Sequence, residues 1–266
     1  MNNILMELSG MRRLDAAERE KALPFAEIMR MANSAPEVRN FAAAFARPVY
    51  GDAAPCRVIA ELKKASPSEG MIRAAFDPEA LARELTGAGA AALSVLCEPH
   101  RFLGSEDYLR TARQVTDLPI LYKDFLTTRY QIAAARAAGA DAVLLIAAVL
   151  DDATLADLLG FTRSLGMEAL VETHDRHEID RAVDAGAGVV GVNCRDLRNF
   201  TTDVSLLEQL AGAIPETCVR IAESGMHTRE AIMRAKAAGA DGFLVGTALM
   251  RAPSPSAKLK QLTRLR

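Results

Sequence analysis

The sequence predicts a (β/α)8 barrel with an N-terminal helical extension, and three observations carry that prediction. Eight short, mostly continuous apolar runs follow residue 57, as expected of parallel strands covered on both faces. Ala-rich amphipathic runs alternate with them, among them Pro78-Glu-Ala-Leu-Ala-Arg-Glu-Leu and Arg229-Glu-Ala-Ile-Met-Arg-Ala-Lys. Ala-Gly-Ala recurs at Ala88–Ala90, Ala138–Ala140, Ala185–Ala187 and Ala238–Ala240, each just before a strand, with its glycines 50, 47 and 53 residues apart. Each interval spans about two β–α units, a quasi-fourfold rhythm that favours a closed barrel over an open doubly wound sheet. One domain is expected over 1–266, with 1–47 as the extension and 57–266 as the barrel.

Taken in order, the extension offers Ile4, Leu5, Leu8 and Met11 on one helical face and Phe25, Ile28 and Met29 on another. Helices packed across one end of the barrel are expected there, ending at Arg47-Pro48. The strands are expected at Arg57–Leu62, Ala91–Leu96, Pro119–Lys123, Asp141–Ile146, Met167–Glu172, Val189–Asn193, Cys218–Glu223 and Gly242–Gly246. Helix starts are marked by Asp77 before Pro78 and by capping boxes at Thr128/Gln131 and Asp175/Glu178. Each Ala-Gly-Ala glycine ends a helix in the left-handed conformation.

Composition narrows function. Of 266 residues, 50% are hydrophobic, and 32 Lys+Arg against 34 Asp+Glu leave a net charge of −2. That balance argues against bulk electrostatic binding of nucleic acid or an anionic membrane. Met1-Asn-Asn-Ile-Leu-Met-Glu has no basic region, so no secretory leader is expected. No apolar stretch approaches the ~20 residues of a membrane span, and a cytoplasmic location is expected. Cys56, Cys97, Cys194 and Cys218 stand 41, 97 and 24 residues apart without a CxxC pair, which reads as buried, reduced thiols. Neither GxxxxGK[ST] nor a strand-to-helix GxGxxG occurs, so ATP and NAD(P) have no support.

Barrel chemistry belongs at the C-terminal strand ends, and those ends are unusually polar. The first holds Glu61 and Lys63, two apart and so on one face. Lys123, Glu172, Asn193 and Glu223 end the third, fifth, sixth and seventh strands, while the fourth ends apolar in Leu144-Leu-Ile-Ala147. Charges ending so many buried strands are costly unless paired or used. Two lysines and two glutamates around one pocket (Lys63, Lys123, Glu61, Glu172) supply acids and bases. Ser224-Gly225 and Gly246-Thr247 stand where a barrel binds phosphate, with a helix N-terminus expected after each. His174 and His177 bracket Asp175, but a helix start with no third ligand argues against a metal. His100 and His227 are read as loop residues.

These motifs resemble the indole-3-glycerol-phosphate synthase family. The resemblance rests on Ile59-Ala-Glu-Leu-Lys-Lys-Ala-Ser-Pro-Ser-Glu-Gly70, Ala92-Leu-Ser-Val-Leu96, Phe102-Leu-Gly-Ser105 and Pro119-Ile-Leu-Tyr-Lys-Asp-Phe125. It continues through Ala169-Leu-Val-Glu172, Val190-Gly-Val-Asn-Cys-Arg-Asp-Leu197, Ile221-Ala-Glu-Ser-Gly225 and Phe243-Leu-Val-Gly246. It implies ring closure of 1-(2-carboxyphenylamino)-1-deoxyribulose 5-phosphate with loss of CO2 and water, in tryptophan biosynthesis. It also implies no cofactor and no metal, a phosphorylated small-molecule substrate, and other enzymes of that pathway as partners.

By the same resemblance Lys123 is the general acid at the ribulose carbonyl, and Lys63 contacts the substrate carboxylate and acts as a later acid. Glu172 is the general base, Glu61 orients lysines and substrate, and Asn193 binds polar groups on the anthranilate side. Arg195 and Glu223 are auxiliary. Ser66, Ser224, Gly225, Gly246 and Thr247 hold the phosphate, and Phe102, Phe125 and Leu144 wall the aromatic ring. The sequence departs from the family pattern at Arg101, Cys194 and Thr247 and across Glu7–Leu14, which bears on affinity and loop motion. A phosphoribosyl isomerase would want a carboxylate with a thiol or second carboxylate, and the paired lysines argue against it. A silent ligand-binding barrel would need no acid/base set.

Overall fold

The computed structural model describes residues 4–46, 56–195 and 202–263. The Arg47-Pro48 end of the extension and the Asp196-Leu197 end of the sixth motif lie outside the described residues. Eight parallel strands close a barrel in chain order: β1 Val58–Leu62, β2 Ala92–Leu96, β3 Ile120–Lys123, β4 Ala142–Ile146, β5 Glu168–Thr173, β6 Val189–Asn193, β7 Val219–Glu223 and β8 Gly242–Val245. β8 returns to β1 with Leu244 opposite Ile59, which excludes the open sheet. The bounds differ from expectation by only a residue or two. Pro119, for example, falls outside β3, having no N–H to give a ladder.

Alternation along each strand builds two cores. Val58, Ala60 and Leu62 of β1 point outward, with Leu93, Tyr122, Val143, Val171, Val190 and Phe243, into the annulus covered by helices. Ile59, Leu121, Leu144, Leu170, Ile221 and Leu244 fill the barrel interior. Burying each aliphatic side chain is worth roughly 1.5–3 kcal/mol. The interior phase, continued upward in steps of two, reaches Glu61, Lys123, Glu172, Asn193 and Glu223, all buried but for the partly exposed Lys123.

Among the described residues the helices are α1 Ile4–Ala22, α2 Phe25–Asn33, α3 Pro78–Gly87, α4 Glu106–Val115, α5 Arg129–Ala137, α6 Asp152–Ser164, α7 Arg176–Asp184, α8 Ser205–Leu210, α9 Arg229–Ala237, α10 Thr247–Arg251 and α11 Pro255–Thr263. Asp77 accepts the Ala80 N–H at the head of α3 (Pro78–Gly87), and Thr128 and Gln131 form a reciprocal capping box on α5 (Arg129–Ala137). The second expected box is half formed. Asp175 accepts the Glu178 N–H at the start of α7 (Arg176–Asp184), but the Glu178 carboxylate turns to His174 instead of the cap backbone. The four repeat glycines, Gly89, Gly139, Gly186 and Gly239, have φ of 92°, 94°, 87° and 100° and end their helices as expected.

The extension serves both ends of the barrel, not one. Leu5 and Leu8 of α1 (Ile4–Ala22) reach the C-terminal mouth, while Phe45, ending the short 3-10 helix Ala42–Phe45, packs at the first residue of β8. α2 (Phe25–Asn33) buries Ile28 against Tyr130, Ala133 and Ala134 of α5.

Candidate active site

The mouth encloses about 1020 Å3, part of it open to solvent, and every proposed site residue lines it. Glu61 and Lys63 form one pair, with Nζ 2.7 Å from Oε2. A Cβ at Gly246 would lie 2.0 Å from that Glu61 oxygen, so the residue after β8 must be glycine for the carboxylate to fit. Lys123 Nζ is shared between Glu223 Oε2 at 3.2 Å and Glu172 Oε2 at 3.5 Å. Gly191 does for Glu223 what Gly246 does for Glu61, since a Cβ there would sit 2.0 Å from Glu223 Oε1.

The two carboxylates on Lys123 have unequal support. Glu172 has Lys123, the Asn193 Nδ2–H donating to Oε1 at 3.0 Å, and the His174 ring 3.5 Å away. Burial pushes its carboxyl up, but Lys123, His174 and Asn193 together bring it below the usual range. Glu223 is equally buried and, among the described residues, has only Lys123 within bonding distance, and its Oε1 has no hydrogen-bond partner. Burial therefore wins there, aided by the Glu172 charge and opposed by Lys123, and the carboxyl rises to about 7. Lys123 loses by burial and gains more from Glu223, Glu172 and Glu61, so its ammonium is held above the ordinary lysine value.

Asn193 spends both polar ends inside the protein, because its Oδ1 accepts the Arg195 N–H at 3.0 Å. The Nδ2 bond holds the Glu172 carboxylate in place. Arg195 donates to Ser68 Oγ at 2.8 Å and leaves its Nε unpartnered. The Ser66 hydroxyl is buried without a partner, as suits a donor awaiting an anion.

One phosphate expectation needs correcting. Gly246-Thr247 does open a helix, α10 (Thr247–Arg251), but the helix after β7, α9 (Arg229–Ala237), begins only after its cap at Thr228. Ser224 and Gly225 instead form a left-handed turn, with φ of 61° and 75°. A serine held there costs on the order of 1–3 kcal/mol, strain of the kind that collects at functional sites.

The apolar wall is present: Phe102 and Phe125 stack tilted with centroids 6.2 Å apart, and Leu144 and Ile146 of β4 line the pocket beside them. Glu98, fully buried, holds the Phe102 loop by accepting N–H groups from His100, Arg101 and Phe102 at 2.7–2.8 Å. Glu98 ends the second strand in the sequence without an evident task, and only the folded loop reveals it. Arg12 of α1 makes a forked pair with buried Asp124, adjacent to Lys123. Two departures from the family pattern meet each other, Arg101 pairing with Glu7 at 3.0 Å. Cys194 is buried and its thiol pushed up to about 12 by burial, so it stays protonated.

Sequence reasoning also passes over His174. Beside His177 it suggests a metal motif, yet it stands two residues after Glu172 and so continues the inward phase of β5. His177 is exposed, and among the described residues no cluster of His, Cys, Asp and Glu fits a metal ion. His100 pairs with Asp15 of α1 at 2.7 Å, and His227 lines the mouth.

Comparison with known proteins supplies the rest. The family model described as indole-3-glycerol phosphate synthase matches residues 5–262. The indole-3-glycerol phosphate synthase of Roseiflexus sp. (strain RS-1) is 44% identical over 98% of each chain. That of Laribacter hongkongensis (strain HLHK9) is 45% identical over 98% of this chain and 99% of its own. Among solved structures, a thiamine phosphate pyrophosphorylase from Pyrococcus furiosus aligns with TM-score 0.59 at 16% identity, covering 78% of this chain and 93% of that one. An orotidine 5'-phosphate decarboxylase from Pyrococcus horikoshii OT3 aligns with TM-score 0.59 at 17% identity, over 77% and 96%. At that identity both speak to the barrel fold alone.

Proposed function

We propose how the mouth works from one premise: the chain belongs to the indole-3-glycerol phosphate synthase family. It is a carboxy-lyase of tryptophan biosynthesis, closing the ring of 1-(2-carboxyphenylamino)-1-deoxyribulose 5-phosphate with loss of CO2 and water to give indole-3-glycerol phosphate. The division of labour among its residues is our reading.

Ring closure needs a weakly nucleophilic aniline carbon to attack the ribulose carbonyl. Lys123 is the group to polarise that oxygen, an ammonium kept charged by three carboxylates and already in place before charge develops. Lys63, paired with Glu61 at 2.7 Å, is the cation for the substrate carboxylate and a later acid. Aromatisation requires loss of a ring proton, and Glu172 is the base, kept ionised by the groups around it and aimed by Asn193. Glu61 orients Lys63, and Glu223 balances Lys123. Ser66, Ser224, Gly225, Gly246 and Thr247 take the phosphate, with Arg195 beside them. Phe102, Phe125 and Leu144 take the aromatic ring. No helix among the described residues is long and apolar enough to cross a membrane, and a cytoplasmic location belongs to the same reading, since four buried thiols persist in a reducing compartment.

The observation that carries the assignment is the lysine shared by two unequal carboxylates, 3.2 and 3.5 Å from its nitrogen, on the inward phase of the barrel. The direct test is to incubate the pure protein with the carboxyphenylamino-deoxyribulose phosphate and follow indole fluorescence. A rising signal is expected, and a flat trace from folded protein would overturn the reading.

A further inference from the structure

The His174 side chain stands between the proposed base and a second carboxylate. Its Nδ1 lies 3.2 Å from Glu178 Oε2, the oxygen that also accepts the His174 backbone N–H at 2.7 Å. Its Nε2 lies 3.5 Å from Glu172 Oε1 and makes no hydrogen bond there, although the atom is buried. Glu178 could have closed the helix cap at Asp175 and is spent on the imidazole instead. A carboxylate at Nδ1 sets the tautomer, placing the ring proton on Nδ1 and a basic lone pair on Nε2, facing Glu172. The arrangement is carboxylate, imidazole, carboxylate, running from the pocket to the first turn of α7.

We propose that His174, set by Glu178, is a positioning residue that unloads Glu172, taking at Nε2 the proton that the carboxylate has removed from the substrate. This rests on the reading of Glu172 as the base. After aromatisation Glu172 is a carboxylic acid beside Lys123 and is useless for another cycle. The O–H bond breaks, its electron pair stays on Glu172 as the carboxylate, and a new N–H bond forms at Nε2. The imidazolium that results then gives one proton to water, restoring the neutral ring. The transfer runs downhill, because Glu172 is held below the ordinary carboxyl range and His174 above the ordinary histidine value. The histidine shift opposes burial and comes from Glu178 on its own helix, Glu172 on β5 and Glu223 on β7. The side chain keeps 19% of its surface exposed, which leaves the ring within reach of water.

The test compares wild type, His174→Asn, His174→Ala, Glu178→Gln and Glu172→Gln by kcat and KM across pH. His174→Asn is expected to lower kcat roughly 10–100-fold with KM changed less than about twofold, the size of loss seen when an orienting partner is removed. At acid pH the ring is an imidazolium, so with His174 gone the acid limb of kcat moves to higher pH, since that charge helps hold Glu172 low. Glu178→Gln, which keeps size and cap, is expected to lower kcat less but to shift the same limb. Added imidazole is expected to restore part of the rate in His174→Ala, which repair of a packing defect would not do. If the His174 variants keep wild-type kcat and acid limb while Glu172→Gln is inactive, the relay is overturned and the base stands. If Glu172→Gln turns over normally, the base reading fails and the relay falls with it.

Discussion

At the bottom of the barrel Asp141 accepts four hydrogen bonds, two from Arg113 Nη1 at 2.9 and 2.8 Å and one each from the Arg39 and Ile120 N–H groups at 2.8 Å. At the mouth Glu223 is just as buried, yet among the described residues it accepts one bond, from Lys123, and leaves Oε1 without a partner. Both are carboxylates at the end of a parallel strand, so burial alone does not separate structure from chemistry. Saturation does. A buried charge whose lone pairs are all used has nothing left to offer a substrate, whereas a half-satisfied one keeps its desolvation cost and its reactivity together. The Ser66 hydroxyl, the Arg195 Nε and the His174 Nε2 are open in the same way, and all three belong to residues in or beside the pocket.

The comparison breaks most sharply at Lys123. Replacing it with methionine, of similar length and no charge, is expected to cut turnover by about 10²–10⁴-fold while the protein still folds. The loss should appear in kcat in a steady-state fluorescence assay. Turnover within a few-fold of wild type would remove Lys123 as the acid and put the open charges at the mouth on the same footing as those below. The second break is at the other end. Asp141→Asn leaves Arg113, whose side chain is 10% exposed, without its charge partner. It is expected to cost about 3–5 kcal/mol of stability in a denaturant titration, with kcat per folded molecule unchanged.

That contrast also explains what can be read in the chain. Glu61, Lys63, Lys123, Glu172 and Asn193 are legible because a strand alternates, and a polar residue on the phase of its interior Ile, Leu or Val must point into the mouth. His174 obeys the same rule and is hidden by a competing local pattern, the His-Asp-Arg-His spacing. The Arg12–Asp124 pair is out of reach, since its partners are 112 residues apart and nothing local says where α1 crosses the barrel. The same holds for Phe45, which closes the bottom from a 3-10 turn too short to carry a period. Glu98 shows a third limit, for its ligands are backbone N–H groups that no side-chain motif encodes.

The smallest and most discriminating effect is expected at Glu223, where pH reads saturation directly. Burial raises this carboxyl from the ordinary 4.5 to about 7. A folded-state value above the unfolded one means that the group supports the fold fully below the unfolded value. That support is lost as pH rises through the folded one. The window is therefore about pH 4.5 to 7, with wild-type stability falling across it on this account. Glu223→Gln has no proton to lose, so its Tm relative to wild type is expected to climb between pH 5 and 8. A tenfold change in proton affinity corresponds to about 1.4 kcal/mol, and the variant also takes a partner from Lys123, which cancels part of the gain. A relative rise of roughly 2–4 °C is the expected scale. Asp141, saturated by four donors, gives the control: its Asn variant should show a deficit across the same window and no such climb. Parallel Tm curves for Glu223→Gln and wild type over pH 5 to 8 would show that the open carboxylate at the mouth is as settled as the one at the bottom.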